Sequence, residues 1–207
     1  MFWDFTLYTL YTKTMNTIIG VDEVGRGALA GPLCVCALRL TRASPFFRSR
    51  NFKDSKQLSK EMRLRVFNEI KAGKRTRELE YSLVYVSASH IDALGMAKAL
   101  MLSVQRALRK LKTLPSERII LDGSLRAPES YVRQMSAPRA DEQCVAVALA
   151  SIVAKCSRDS LMIAASKQFP DYGFETNVGY GTRAHRTALL QKGPTSFHRA
   201  LFLRRIC

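Results

Sequence analysis

Four acidic residues in this chain are spaced so that a fold could gather them: the adjacent pair Asp22-Glu23 and, far downstream, Asp122 and Asp141. The first three follow apolar runs of β-forming residues, Ile18-Ile19-Gly20-Val21 before Asp22-Glu23 and Ile119-Ile120-Leu121 before Asp122. A lone carboxylate at a strand end is ordinarily solvated or hydrogen-bonded. Two such strands side by side would bring the acids into one cleft, where like charges about 4 Å apart repel by roughly 4 kcal/mol at an effective dielectric of 20. Four converging carboxylates call for a cation. Taken singly, Asp22-Glu23 reads as a solvated strand end and Asp141 as an acid placed on a helix dipole. Taken together, they read as a site for hard divalent metals, whose preferred ligands are oxygens.

The charge balance says what such a site would work on. Lys and Arg number 33 against 17 Asp and Glu, a formal charge of +16. That points to a polyanion, nucleic acid first, although a generally basic solvated surface has the same composition. The five cysteines form no C-x-x-C pair; Cys34 and Cys36 lie in an apolar run and Cys156 in a helical one. This fits a reducing cytosol and argues against a disulfide framework or a zinc knuckle. No stretch approaches the length of a membrane span. Residues 1–16 are aromatic but carry an acid at position 4, and lack the basic start and cleavage site of a signal peptide. Met15 is an alternative start, so residues 1–14 are expected to be dispensable.

The elements that must position these acids can be sketched from periodicity. Residues 17–24 and 33–40 read as buried strands joined by a turn-rich link, Gly25-Arg26-Gly27-Ala28-Leu29-Ala30-Gly31-Pro32, hence a hairpin. After a basic loop, Ser59 caps a helix to about Ala72. Glu80–Val86 alternates as a third strand. A long helix runs from Ser87 or Ser89 to about Leu111, with Gly95 in its interior at a cost of roughly 1 kcal/mol relative to Ala. Residues 118–122 form a fourth strand, and 132–137 an edge strand weakened by Pro138. The helix expected over 143–169 is apolar almost all round in its first half, hence buried. A turn-rich tail follows Pro170. The order of elements gives an α/β fold with a mixed sheet.

The segment Gly20-Val21-Asp22-Glu23-Val24-Gly25-Arg26-Gly27 resembles the opening signature of the type 2 ribonucleases H, the ribonuclease HII family. The resemblance continues in order. Asp54-Ser55-Lys56-Gln57-Leu58-Ser59 matches D-S-K-x-L-S, and Leu121-Asp122-Gly123 matches the strand with the third acid. Asp141 is followed by Ala150-Ser151-Ile152-Val153-Ala154-Lys155 and Arg158-Asp159. Tyr172-Gly173-Phe174, Gly179-Tyr180-Gly181-Thr182, His185, Gly193-Pro194-Thr195 and His198-Arg199 complete it. It covers residues 17 to 203. It implies a ribonuclease H-like mixed five-stranded sheet flanked by helices: an extension over 1–16, a catalytic domain over 17–169, and a helical and loop appendage over 170–207 that contacts substrate.

By that resemblance Asp22, Glu23, Asp122 and Asp141 hold two Mg²⁺ or Mn²⁺ ions. Gly25, Arg26 and Gly27 sense a ribose 2′-hydroxyl, Tyr180 packs on the sugar, and the segment of Lys56 contacts phosphate. Arg42, Arg48, Arg50 and Lys53 add nonspecific attraction to a nucleic-acid backbone. Read without the family, Gly25–Gly27 is a tight turn, Tyr180 a loop aromatic and Lys56 a solvated lysine. Ser151 reads as a packing residue, and His185 and His198 as packing or phosphate-facing. Three departures stand out: Arg139-Ala140 where Lys-Gly is usual before the fourth acid, Val178 where a basic residue precedes Gly-Tyr, and Gly95 where Asn is usual. At position 140 an alanine restricts the backbone if positive φ is needed, and Glu142 is then an alternative to Asp141.

The leading expectation is a cytoplasmic, monomeric, metal-dependent endoribonuclease acting on RNA–DNA hybrids and on ribonucleotide-containing duplex DNA. It would serve ribonucleotide removal and RNA primer removal in DNA replication and repair. A non-catalytic nucleic-acid-binding protein would share the basic surface but leave the acids unexplained. A nuclease needing a run of ribonucleotides is the third reading. The sequence names no protein partner.

Overall fold

The structure, a computed structural model, describes residues 17–48 and 58–204. Lys56 with the rest of the 54–57 motif, Arg50, Lys53, the proposed start at Met15 and Cys207 lie outside the described residues.

Strands β1 (Thr17–Val24) and β2 (Leu33–Thr41) pair antiparallel, as the hairpin pattern requires. Strand β3 (Leu79–Val86) adds antiparallel to β2. Strands β4 (Ile119–Asp122) and β5 (Gln134–Ala137) add parallel to β1 in turn. The sheet is therefore mixed and five-stranded, in the order β3-β2-β1-β4-β5. β5 is an edge strand, two residues shorter than expected at its start and followed at once by Pro138, which cannot donate to a ladder.

Both sheet faces are covered, so β1, β2 and β4 are near-continuously apolar. One face carries Ile18, Cys34, Cys36, Leu38 and Ile120 under α6 (Val145–Ser166). The other carries Ile19, Val21, Val35 and Leu121 under α3 (Ala88–Leu94) and α4 (Met96–Lys110). Helices α1 (Pro45–Arg48) and α2 (Lys60–Arg75) pack on the α6 side. Ser59 caps α2, its hydroxyl accepting from the Met62 N–H at 3.2 Å. Helix α6 is buried through its first half, as its composition demands. It lies so close to β1 that a Cβ on Gly20 would stand 2.2 Å from the Ala146 carbonyl carbon, so only glycine fits there.

The single helix expected between Ser87 and Leu111 is two. Gly95 has φ 75 and ψ 155, outside the helical region; its N–H closes α3 on Ile91 and its carbonyl opens α4 to the Ala99 N–H. Glycine here is a hinge between helices, so no helix-interior cost applies, and a residue with a Cβ would be the strained choice. After α5 (Ala140–Gln143) and α6, the tail folds as a 3₁₀ turn (Pro170–Tyr172) and helices α7 (Phe174–Asn177), α8 (Arg183–Lys192) and α9 (Ala200–Leu203). It packs its Tyr172, Phe174 and Leu189 against Leu29, Ala30 and Met162. Cys34, Cys36, Cys144 and Cys156 are buried thiols. Among the described residues no helix is long and apolar enough to cross a membrane.

Candidate active site

Parallel pairing of β1 with β4 sets Ile19 opposite Ile119, Gly20 opposite Ile120 and Val21 opposite Leu121. The next residue on each strand is an aspartate, Asp22 on one and Asp122 on the other. Neighbouring strands run about 4.8 Å apart, so register alone sets the two carboxylates side by side. Both line one cavity of about 390 Å³, together with Glu23, Ser151, Lys155 and Arg63. The sequence gathers four acids in one pocket; the structure brings three of them, Asp22, Glu23 and Asp122, to this cavity.

The two aspartates that end the strands are held by named donors. Asp22 is 5% exposed. Its Oδ1 accepts from the Glu23 N–H at 2.7 Å, and the Ser151 hydroxyl donates to it from the overlying α6. Burial raises its carboxyl from 3.8 to about 8; the negative charges of Asp122 and Glu23 add to the rise, and the two donors oppose it. Asp122 Oδ1 accepts from the Ala140 N–H at 2.7 Å, which ties β4 to the first turn of α5.

The fourth acid sits differently. Asp141 is 1% exposed and lies on α5, one residue beyond the amide that orients Asp122, but it is not among the cavity-lining residues. Glu142, the alternative to it, also lies off the cavity lining, with an exposed side chain that pairs with Arg139 at 3.6 Å. The positive φ that made position 140 a concern falls one residue earlier, on Arg139 (φ 52), and Ala140 is helical. Ala140 is therefore compatible with the local backbone.

Among the described residues no group of three His, Cys, Asp or Glu side chains forms a ready-made metal cage. Asp22, Glu23 and Asp122 present oxygen donors only, the chemistry of magnesium-type ions, which keep several waters and take only one or two protein carboxylates plus substrate phosphates. The donor set fits such an ion. Its missing ligands are ones that water and substrate supply.

The Gly25-Arg26-Gly27 turn follows β1 at the edge of this cavity. Gly25 has φ 85, and a Cβ on it would meet the Arg158 Nε at 2.2 Å. Gly27 is exposed, and a Cβ on it would meet nothing within 4 Å. Arg26 reaches Glu23 at 3.8 Å and donates to the Ser124 hydroxyl at 3.3 Å, spanning the two acid-bearing strands. Tyr180, in the tail, is not among the cavity-lining residues but lies beside Lys155, which is. The Gly179 carbonyl accepts from the Leu29 and Ala30 N–H groups at 2.8 and 3.1 Å. The Tyr180 ring lies 5.5 Å from the Arg158 guanidinium and 6.0 Å from the Lys155 ammonium.

Sequence reasoning missed several of these roles. Ser151, read as a packing residue, is a donor to Asp22. Ser151, Lys155 and Arg158 follow one another at i, i+4 and i+7 on an apolar helix, a polar stripe that was the available signal. Arg63 is brought in by helix packing alone. Arg158 and Arg199 are both 0% exposed. Arg158 donates to the carbonyls of Pro32, Val178 and Ala30, and Arg199 to those of Gly31 and Arg26. Desolvation lowers both guanidinium pKa values, that of Arg199 to about 10. Val178 adopts φ 42, rare for a β-branched residue, and its carbonyl is one of those Arg158 holds.

A mixed five-stranded sheet with acids ending its two central strands, under a buried helix, defines a ribonuclease H-type nuclease fold. The RNase HII of the PCNA:RNase HII complex from Archaeoglobus fulgidus superposes with a TM-score of 0.73 at 25% identity, covering 89% of this chain and 94% of that one. Bst-RNase HIII, solved in complex with Mn²⁺, superposes at 0.66 and 23% identity over 88% of this chain and 65% of that one. Within that class the chain belongs to the ribonuclease HII family, whose model matches residues 19–205. Ribonuclease HII of Synechococcus sp. (strain WH7803) is 41% identical over 91% of this chain and 95% of its own length. The family is one of hydrolases, and the chain is a nuclease.

Proposed function

We propose that this nuclease hydrolyses the RNA strand of RNA–DNA hybrids and incises duplex DNA on the 5′ side of embedded ribonucleotides, leaving 3′-hydroxyl and 5′-phosphate ends. The observation that carries this reading is the β1–β4 register, which sets Asp22 beside Asp122 in a cavity rimmed by Glu23, Arg63 and Lys155. Asp22, Glu23 and Asp122, with Asp141 from α5, would hold two divalent ions, Mg²⁺ or Mn²⁺. Such ions would supply an activated water on one side of the phosphodiester and charge neutralisation at the leaving 3′-oxygen on the other.

The chain's own groups do the rest. Ser151 and the Glu23 N–H aim Asp22, and the Ala140 N–H aims Asp122, so neither carboxylate reorganises when substrate arrives. Gly27, open on its Cβ side, lets backbone approach a ribose, and Tyr180 offers a flat face to the sugar. A site built to hydrogen-bond a hydroxyl rejects its absence by ~10⁴–10⁵, and the 2′-hydroxyl is what distinguishes RNA from DNA. Lys56 would add a phosphate contact. The reading places the chain as a cytoplasmic monomer that serves ribonucleotide and RNA primer removal in replication and repair.

The test is a duplex carrying one ribonucleotide and a full RNA–DNA hybrid, each incubated with Mg²⁺, with Mn²⁺ and with EDTA. Metal-dependent cutting of both substrates, and its loss in Asp22→Asn with binding kept, is the expected result. Inertness toward the single ribonucleotide would leave only a nuclease that needs longer RNA runs. Salt-dependent binding without turnover in either metal would reduce the chain to a binding protein.

A further inference from the structure

The two histidines of the tail form a buried relay that ends on Tyr180. His185 is 0% and His198 4% exposed, and their Nε2 atoms stand 3.1 Å apart. His185 Nδ1 lies 2.9 Å from the Tyr180 carbonyl. That oxygen can only accept, so Nδ1 carries the proton and His185 Nε2 is an acceptor. His198 Nε2 must then donate to it, which leaves His198 Nδ1 as an acceptor. The Thr195 N–H, at 3.1 Å, donates to that atom, and the Thr195 hydroxyl lies 2.9 Å away. One tautomer assignment satisfies all four ring nitrogens. Tyr172 and Phe174 wall the pair, His198 lying 4.7 Å from the Tyr172 ring.

The segment that the relay holds is anchored on its N-terminal side by other groups: the Tyr180 N–H donates to the Asn177 carbonyl at 2.9 Å, and the Gly179 N–H to the Asn177 side-chain oxygen at 2.8 Å. Tyr180 lies between Gly179 (φ 86) and Gly181, where the backbone packs closely on residues 29–30: a Cβ would stand 2.4 Å from the Ala30 carbonyl oxygen at the first and 2.8 Å from Leu29 Cδ1 at the second. The Tyr180 carbonyl accepts from the Thr182 N–H at 2.8 Å as well as from His185, so two donors fix its peptide plane. Thr182 is in turn locked, because its hydroxyl caps α8 by accepting from the His185 N–H. His185 thus holds the chain on the C-terminal side of Tyr180, whose ring lies beside Arg158 and Lys155 of α6.

We propose that His185, backed by His198 and Thr195, is a positioning residue for sugar recognition: it fixes the Tyr180 peptide so that the ring meets the ribose beside the scissile phosphate. This inference rests on the reading of Tyr180 given above. The pair does not touch substrate and acts only through Tyr180.

A double-mutant cycle tests it on the single-ribonucleotide duplex. His185→Phe keeps an aromatic ring but neither nitrogen, and is expected to lower kcat about tenfold, a coupling of ordinary size for groups in contact. In a Tyr180→Ala background the same change should cost less than twofold. His185→Asn, which can still donate to the Tyr180 carbonyl, should recover most of the loss. A merely structural histidine predicts equal losses in both backgrounds and no rescue, and that result overturns the proposal. If Tyr180→Ala itself cuts at the wild-type rate, it is the reading of Tyr180 that fails. Should His185→Phe not fold, Thr195→Val replaces it, with a smaller loss of two- to threefold that must again vanish beside Tyr180→Ala; a loss that persists there overturns the proposal. ¹⁵N spectra of the imidazoles must also show an Nδ1-protonated His185 beside an Nε2-protonated His198.

Discussion

Asp22→Asn removes a charge while keeping a shape, and its effect on stability can be worked from the site. Asp22 is 5% exposed, and burial, with Asp122 and Glu23 alongside, raises its carboxyl from 3.8 to about 8. The folded protein therefore holds this proton more tightly than the unfolded chain does. Without metal, the contribution is full below about pH 4 and is lost as pH rises toward 8. At 1.36 kcal/mol for each tenfold change in proton affinity the whole span is worth at most about 6 kcal/mol. Relaxation and water entry reduce that to roughly 2–4 kcal/mol. Urea unfolding of wild type and Asp22→Asn in EDTA, from pH 4.5 to 8.5, isolates the term by difference. The wild type should lose stability relative to the variant across this range and be the less stable at pH 8. Adding Mg²⁺ should restore the wild type far more than the variant, and cleavage should be lost in the variant. Parallel pH profiles for the two proteins would refute the buried-carboxyl reasoning.

Gly27→Ala is expected to change stability by less than ~0.5 kcal/mol, because its Cβ meets nothing; by crowding an approaching ribose it should raise KM on the single-ribonucleotide duplex. Gly25→Ala, at φ 85 and facing Arg158, should instead destabilise by ~1–3 kcal/mol, read from urea midpoints. Arg158→Met strands three carbonyls that the guanidinium now holds, and a loss of roughly 3 kcal/mol or more is expected in the same assay. Burial lowers both tail imidazoles, His198 to about 4, so the unfolded chain takes up protons first as pH falls. Stability present above about pH 6.5 should decline toward pH 4, with a steeper fall in Tm for wild type than for His198→Gln.

Much of this was legible because it depends on residue types that mean the same thing locally and globally. Ile-Ile-Gly-Val and Ile-Ile-Leu, short and rich in β-branched residues, read as buried strands, and a carboxylate ending each is visible without coordinates. Gly25 announces a turn, and the all-apolar start of α6 announces a buried helix. What was not legible depends on packing between distant segments. Arg158 and Arg199 look like ordinary surface charge until the backbone carbonyls of residues 26–32 surround them. Gly95 looks like a weak helical position until its φ is known. The roles of Ser151 and Arg63 exist only because α6 packs on β1 and α2 packs on α6. Glu142 and Asp141 are adjacent in sequence, yet one is exposed and the other is sealed, a difference set by the one-turn helix between Arg139 and Cys144.

The bridge of Ala30 to His198, the bonds of Leu29 and Ala30 to Gly179, and the reach of Arg199 to Arg26 join two stretches some 150 residues apart. Grafting only the tail of one relative onto the body of another would set a foreign Tyr180 against a native Gly25–Gly27. In a hybrid enzyme of this family, the two stretches therefore need to be inherited as a single unit.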